Sequence, residues 1–257
     1  MPGVELNVKL LSHTLEPELT VAMGGRLCYS ATGIDALKDA VAENVAGFVD
    51  RLKGYGHLSP IEHASFTFGV EGVSRALMAQ ITRHRIASFS VQSQRYVTQA
   101  EDFTYIVPPS VQALGEEAEA EYRAQMQTLG GFYAKWVDRG IKAEDARFVL
   151  PNAAETRMIV TMNARELMHF FVLRCCNRAQ WEIRRLAWSM LGIARREAPA
   201  LFCGVGAACV SGGCSEGKMS CGQAGSIQEM DARLAELAGQ GASDAQIIAW
   251  VCENISG

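Results

Sequence analysis

Arg83-His84-Arg85-Ile86-Ala87-Ser88-Phe89-Ser90-Val91-Gln92-Ser93-Gln94-Arg95-Tyr96 is the stretch on which the chain turns. It holds three arginines, one histidine, three serines and two glutamines, and no acid stands between Glu71 and Glu101. The protein as a whole is net acidic, at −4. Its carboxylates have been kept out of this segment, which leaves Arg75, Arg83, Arg85 and Arg95 without local compensation. A guanidinium presents a planar fork of donors that meets phosphate or carboxylate oxygens in pairs. The segment therefore reads as an anion site. An arginine near a helix C-terminus also satisfies terminal carbonyls; that accounts for one of them, not for three.

Working outward, the 257 residues suffice for one large domain, or one domain with an appendage. A composition of 49% hydrophobic and 20% charged residues is globular rather than disordered. The negative net charge argues against a general nucleic-acid binder. No apolar run approaches the ~20 residues of a membrane span, and Met1 to Glu16 lacks the pattern of a signal peptide. A cytoplasmic protein with no membrane and no nucleic-acid partner is the expectation, and most of its eight cysteines are then expected as reduced thiols.

Upstream, Leu6 to Leu11 alternates as a strand, and Glu16 to Cys28 reads as a helix. Leu37, Val41, Val45, Phe48 and Leu52 form one apolar stripe of a helix from Asp35 to Gly54. His57-Leu58-Ser59-Pro60-Ile61-Glu62-His63 follows. It lacks the spacing of a zinc helix, and Pro60 forbids a continuous one. Start of a capped short helix, contact with a small ligand, and a metal site all remain open for it. Phe66, Phe68 and Val70 alternate with Ser65, Thr67 and Gly69 as a strand ended by Gly72, and Ser74 to His84 is a helix with Arg83 near its end.

Downstream, Thr104 to Val107 is expected as a strand and Val111 to Asp138 as the longest helix. Ala143 to Leu150 is a short helix carrying Arg147, and Thr156 to Thr161 a strand. Helices then run from Asn163 to Cys176 and from Ala179 to Glu197. Asn163, Leu167, Phe170 and Arg174 share one face of the first. Arg184, Arg185, Arg195 and Arg196 read as surface charge. Cys203, Cys209, Cys214 and Cys221 fall within nineteen Gly- and Ser-rich residues. They suit either a structural metal such as zinc or unpaired, redox-active thiols. Ile227 to Leu237 and Asp244 to Val251 read as two short helices, a tail or an oligomer contact.

Several blocks together resemble the flavin-dependent thymidylate synthases. Their signature is Arg-His-Arg, seven residues, Ser, and Arg two further on; Arg83-His84-Arg85, Ser93 and Arg95 match it. The resemblance extends to His57–His63, Arg147-Phe148-Val149-Leu150-Pro151, Asn163-Ala164-Arg165, and Leu173-Arg174 leading to Ala179-Gln180-Trp181-Glu182-Ile183. It implies an α+β fold, with a single catalytic domain at 1–202 of antiparallel sheet and long helices. A Cys-rich segment, 203–225, and a short helical tail, 226–257, follow. It implies a homotetramer with active sites shared between subunits, and conversion of dUMP to dTMP with FAD, methylenetetrahydrofolate and NADPH.

By the same resemblance, Gln80, Ser93, Gln94 and Arg95 match nucleotide contacts, Arg147 matches a further one contributed by another subunit, and Arg174 matches the catalytic arginine placed against the uracil. Ser59, His84, Arg85, Val91, Asn163, Arg165 and His169 match flavin contacts, Arg83 stands in both sets, and His57 matches a folate-proximal position. Ser90-Val91 stands where many members have Asn-Glu, so only the backbone of Val91 is left to contact flavin, and Arg178 stands where many have His. Without the resemblance, the rival readings are a nucleotide-binding module without catalysis and a zinc-dependent nucleic-acid protein.

Overall fold

The alternation around Phe66 and Phe68 builds an inner strand of an antiparallel sheet, four-stranded among the described residues. The computed structural model describes residues 3–98 and 103–255. Glu101, the acid that closes the carboxylate-free stretch, lies outside them. The chain opens with β1 (Asn7–His13), α1 (Pro17–Tyr29), α2 (Leu37–Ala42), α3 (Val45–Gly54) and β2 (Ser65–Ser74). It continues with α4 (Arg75–Ile81), β3 (Ala87–Val91), α5 (Pro109–Gln112), α6 (Glu116–Asp138), α7 (Ala143–Ala146) and β4 (Glu155–Asn163). It ends with α8 (Ala164–Arg174), α9 (Trp181–Glu197), α10 (Pro199–Phe202), α11 (Ala208–Ser211), α12 (Ala224–Gly239) and α13 (Asp244–Asn254). The α+β expectation holds.

The sheet order is β1-β2-β4-β3. Phe66, Phe68 and Val70 stand opposite Met162, Val160 and Met158, so all six share one face. They are buried with Leu167, Phe170 and Phe171 of α8 and Leu186 and Met190 of α9. Burial of this kind stabilises by roughly 1.5–3 kcal/mol for each large side chain. The opposite face is half-exposed and carries Thr67 and Thr161, whose hydroxyls bond at 2.9 Å. No described helix is long and apolar enough to cross a membrane.

Polar groups fix the path from sheet to site. Ser74 caps α4 by accepting from Leu77 N at 3.0 Å. Its own Oγ donates to Glu182 at 2.5 Å and its N to the same carboxylate at 2.6 Å. Burial pushes the Glu182 pKa up, and the two bonds from Ser74 oppose that shift. The start of α4 is thereby locked to the start of α9.

Local departures from the sequence expectations have physical causes. The helix expected from Asp35 breaks at Asn44, whose side chain caps α3 by accepting from Gly47 N at 2.9 Å. The helix expected from Val111 is divided by Gly115 at φ 99. Gly72 does not end its strand: it sits at φ 68 where the β2–β4 register shifts. A Cβ there would fall 1.7 Å from the Glu5 carbonyl, so glycine is required. The strand expected at Thr104–Val107 shrinks to isolated bridges of Tyr105 with Gly3 and Ala154.

Two of the arginines read as surface charge are buried instead: Arg184 is 8% and Arg195 5% exposed. Arg195 donates to Asp231 Oδ1 at 2.5 Å and to the carbonyls of Asp231, Val205 and Phe202. Arg196 bonds the Ala242 carbonyl and pairs with Asp244 at 2.8 Å. Through these contacts α12 and α13 are held on α9, and Ile227, Leu234, Ile247 and Val251 join the sheet's own core. Asp231→Ala removes the charge partner of a buried guanidinium. Urea unfolding is expected to show a loss of about 3 kcal/mol; a loss under about 1 kcal/mol would mean the pair does not anchor α12.

Candidate active site

β4 runs directly into α8, and Asn163 at the junction caps the helix by accepting from Glu166 N at 2.9 Å. Three turns on, Arg174 lies in the last turn. β3 pairs alongside β4 with Ala87 opposite Met162, which carries the preceding Arg83-His84-Arg85 to the flank of α8. Between them lies a cleft of about 860 Å³. Arg83, Arg85, Asn163, Arg165, His169 and Arg174 supply its polar lining, and Leu58, Ile86, Met168, Val172 and Leu173 its apolar walls.

At the floor, His84 and Glu166 are only 5% and 7% exposed. His84 Nδ1 lies 3.1 Å from Glu166 Oε1, and Arg174 Nε donates to His84 Nε2 at 3.2 Å. The ring of Phe170 stands edge-on to His84 at 5.0 Å and that of His169 at 6.0 Å. Burial pushes the His84 pKa down; the Glu166 bond opposes this, and Arg174 reinforces it. Burial, then the charge of Arg83, lowers the Arg174 pKa. Glu62, the other acid of the cleft, is engaged by Arg165 Nη1 at 2.5 Å.

Of the expected nucleotide contacts, Arg83 and Arg174 line this cleft, and Gln80, Ser93, Gln94, Arg95 and Arg147 do not. The latter gather beyond β3. Arg95 Nε donates to Glu144 Oε2 at 2.9 Å, and Arg147 Nε to the Glu144 carbonyl at 3.0 Å. Arg75 donates to the Gln92 carbonyl at 2.8 Å. Burial, then the charge of Arg147, lowers the Arg75 pKa. Ser93 Oγ accepts from Arg95 N at 3.2 Å, and Gln94 Nε2 is buried with no hydrogen-bond partner among the described residues. Gln80 sits on α4, where its amide donates to the Ala76 carbonyl at 3.3 Å and to Gln180 Oε1 at 3.5 Å.

Val91 stands opposite Met158, so its side chain is on the core-facing side of the sheet, and the residue also borders a second cavity of about 460 Å³. Ser59 begins a 3₁₀ turn, Ser59–His63, and is exposed; it makes no side-chain cap. His57 stacks edge-on against Tyr29 at 5.1 Å, and its buried Nδ1 is without a partner among the described residues.

The metal expectation for the C-terminal cysteines is not supported: no group of three His, Cys, Asp or Glu suited to a metal ion occurs among the described residues. Cys203 is drawn away, its carbonyl accepting from Lys53 Nζ at 3.0 Å. Cys209 and Cys214 instead line, with Cys176, a cavity of about 400 Å³ past the end of α8, and Cys221 is exposed. Arg178 is occupied by this segment, donating to the Met219 carbonyl at 2.9 Å and pairing with Glu216 at 3.2 Å.

Sequence reasoning passed over Glu166, Glu144 and Gln180. An acid at the third position of a helix reads as dipole compensation, and nothing local reveals that it faces a histidine 82 positions away. Gln180, which caps α9 by accepting from Glu182 N, was visible only as part of a motif.

With this geometry in hand, the relationships to known proteins are informative. Residues 9–200 match the family described as thymidylate synthase complementing protein. The chain is 52% identical over 227 residues to the flavin-dependent thymidylate synthase of Geobacter sulfurreducens, covering 88% of this chain and 97% of that one. It is 47% identical over 241 residues to that of Clostridium tetani, covering 88% and 96%. Among solved structures, the UMP/dUMP methylase PolB of Streptomyces cacaoi bound with 5-Br dUMP aligns with a TM-score of 0.67 at 25% identity, covering 77% of this chain and 93% of that one. The match over 9–200 and the near full-length identity to named members together place this chain in the flavin-dependent thymidylate synthase family.

Proposed function

We propose that the protein converts dUMP to dTMP, taking the methylene group from 5,10-methylenetetrahydrofolate, with FAD as cofactor and NADPH as reductant. The observation that carries this reading is Arg174, fixed by a buried histidine at the floor of a cation-rimmed, apolar-walled cleft. The residues fit the cofactor. A flat ring system with a pyrophosphate needs apolar walls and cationic donors, and the cleft's two acids are already engaged by Arg165 and His84. When bound, the flavin supplies the electron transfer of the reaction.

The protein's own groups bind and polarise. Arg83, Arg85 and Arg165 are proposed to hold the flavin phosphates, with Ser59, His84, Asn163, His169 and the Val91 backbone completing the cofactor contacts. His57 is proposed to meet the folate edge, its Nδ1 being without a partner among the described residues. A permanently charged Arg174 beside the uracil stabilises negative charge as it develops on the base, which enriches C5 for bond formation. Arg95, Ser93, Gln94, Gln80 and Arg147 are proposed to hold the nucleotide, and Gln94 Nε2, buried without a partner among the described residues, supports that assignment.

These nucleotide residues lie outside the Arg174 cleft of their own chain. A complete site therefore takes Arg174 from one subunit and the Arg95 group from another, within the proposed homotetramer. Ile86 and Phe148, near the two half-sites, are 68% and 83% exposed, which suits burial against another copy.

The decisive assay is dTMP formation with dUMP-dependent NADPH oxidation in the presence of methylenetetrahydrofolate. A flavin- and dUMP-binding protein that makes no dTMP would leave only a binding module. Arg174→Ala is expected to lower turnover by at least about a hundredfold while flavin absorbance is retained; undiminished turnover would remove the arginine from the reaction. Mixing Arg174→Ala with Arg95→Ala protein, each inactive alone, is expected to restore part of the activity in hybrid assemblies. No recovery after subunit exchange would mean that both arginines serve one chain's site.

A further inference from the structure

Resting on that reading of the cleft, we infer that Glu166 is a positioning residue that fixes His84 as the neutral, Nδ1-protonated tautomer, so that Nε2 is free to accept from Arg174. Two hydrogen bonds determine the tautomer. Arg174 Nε carries a proton and no lone pair, so the His84 Nε2 it approaches at 3.2 Å must be unprotonated. The ring proton then sits on Nδ1, 3.1 Å from Glu166 Oε1, and the carboxylate accepts it. The other ring nitrogen's partner sets the tautomer, as in histidines oriented by a carboxylate. No other hydrogen bond of the Arg174 side chain occurs among the described residues, so this one contact orients the guanidinium and leaves both Nη groups to the cleft.

The charged surroundings of His84 keep it neutral. On α8 it faces Glu166, His169 and Arg174, and on its own segment Arg83 and Arg85 flank it; the Arg165–Glu62 pair stands at the cleft edge. Burial and the cationic Arg174 lower its pKa, while the Glu166 carboxylate holds it from falling further. Protonation of Nε2 would remove the acceptor and set two cations together. Arg174 is therefore in place above the depressed pKa of His84 and is released as pH falls through it, below the ordinary imidazole value of about 6.5.

Glu166 also occupies the first turn of α8, where a carboxylate favours the helix for purely structural reasons. The two roles separate in a pair of variants of the full-length holoenzyme. Glu166→Ala removes both acceptor and charge. Glu166→Gln keeps an amide oxygen for Nδ1–H but loses the charge. With positioning, kcat falls on the order of ten- to a hundredfold in the alanine variant. The glutamine variant restores part of it, and its acid limb moves to lower pH because the charge that raised the His84 pKa is gone. A role confined to the helix leaves the acid limb where it was in both variants, which would overturn the inference.

Nitrogen-15 NMR of the His84 imidazole tests the same point without turnover. Wild type should show a protonated Nδ1 and a bare Nε2 at neutral pH, and Glu166→Ala should lose that single tautomer. A protonated Nε2 in wild type would also overturn the inference. If wild type makes no dTMP yet shows the expected tautomer and its loss in the variant, the functional reading fails and the positioning role stands. If wild type turns over and neither tautomer nor acid limb responds to residue 166, the positioning role fails alone.

Discussion

The register of β3 on β4 is the constraint on which the cleft depends. With Ala87 opposite Met162, the chain just before β3 must lie beside the residue that starts α8. A slip of one residue would turn Phe89 and Val91 to the other face of the sheet and carry His84 away from Glu166. The register is held at both ends. Apolar positions of β4 face the core between α8 and α9, and Ser74, bonded to Glu182, fixes where α4 begins. A seven-residue helix and a short connection then leave His84 little choice of position.

Much of this was legible in the sequence. Alternation at 65–70 and the spacing of Asn163, Leu167, Phe170 and Arg174 are local patterns, and the structure keeps both. The Arg-rich stretch was harder to read. Its cations announce a ligand site, and that hides the alternation of Ala87, Phe89 and Val91 that makes it a strand. The burial of Arg184 and Arg195 was out of reach for a different reason. Arg195 depends on carbonyls and an acid from α10, α12 and the turns between, and Arg184 on the Asn177 carbonyl ahead of α9, none of which a helical pattern in α9 can report. Glu166 belongs to the same class: its partner is distant in sequence, and its own position has an ordinary structural explanation.

The acid-free stretch does not leave all its polar side chains alone in space. Distant segments supply carboxylates to two of them, Glu144 to Arg95 and Glu166 to the neutral His84, while across the cleft Glu62 pairs with Arg165 of α8. These differ in kind. The His84 contact is buried and fixes a geometry. The Arg95 and Arg165 pairs are about half-exposed, and pairs of that sort contribute only about 0–1 kcal/mol.

The weakness of the Arg95–Glu144 pair has its own use. A guanidinium left bare would sample many rotamers, and ordering it for a ligand would cost side-chain entropy. Glu144 holds Arg95 in a half-exposed pair, loosely enough for a better acceptor to take over. In the nucleotide role proposed for Arg95, an incoming phosphate would trade places with a resident carboxylate on an arginine already in position, and the protein would give up almost nothing to make room. The carboxylate acts as a placeholder, keeping the shape of an anion until one arrives.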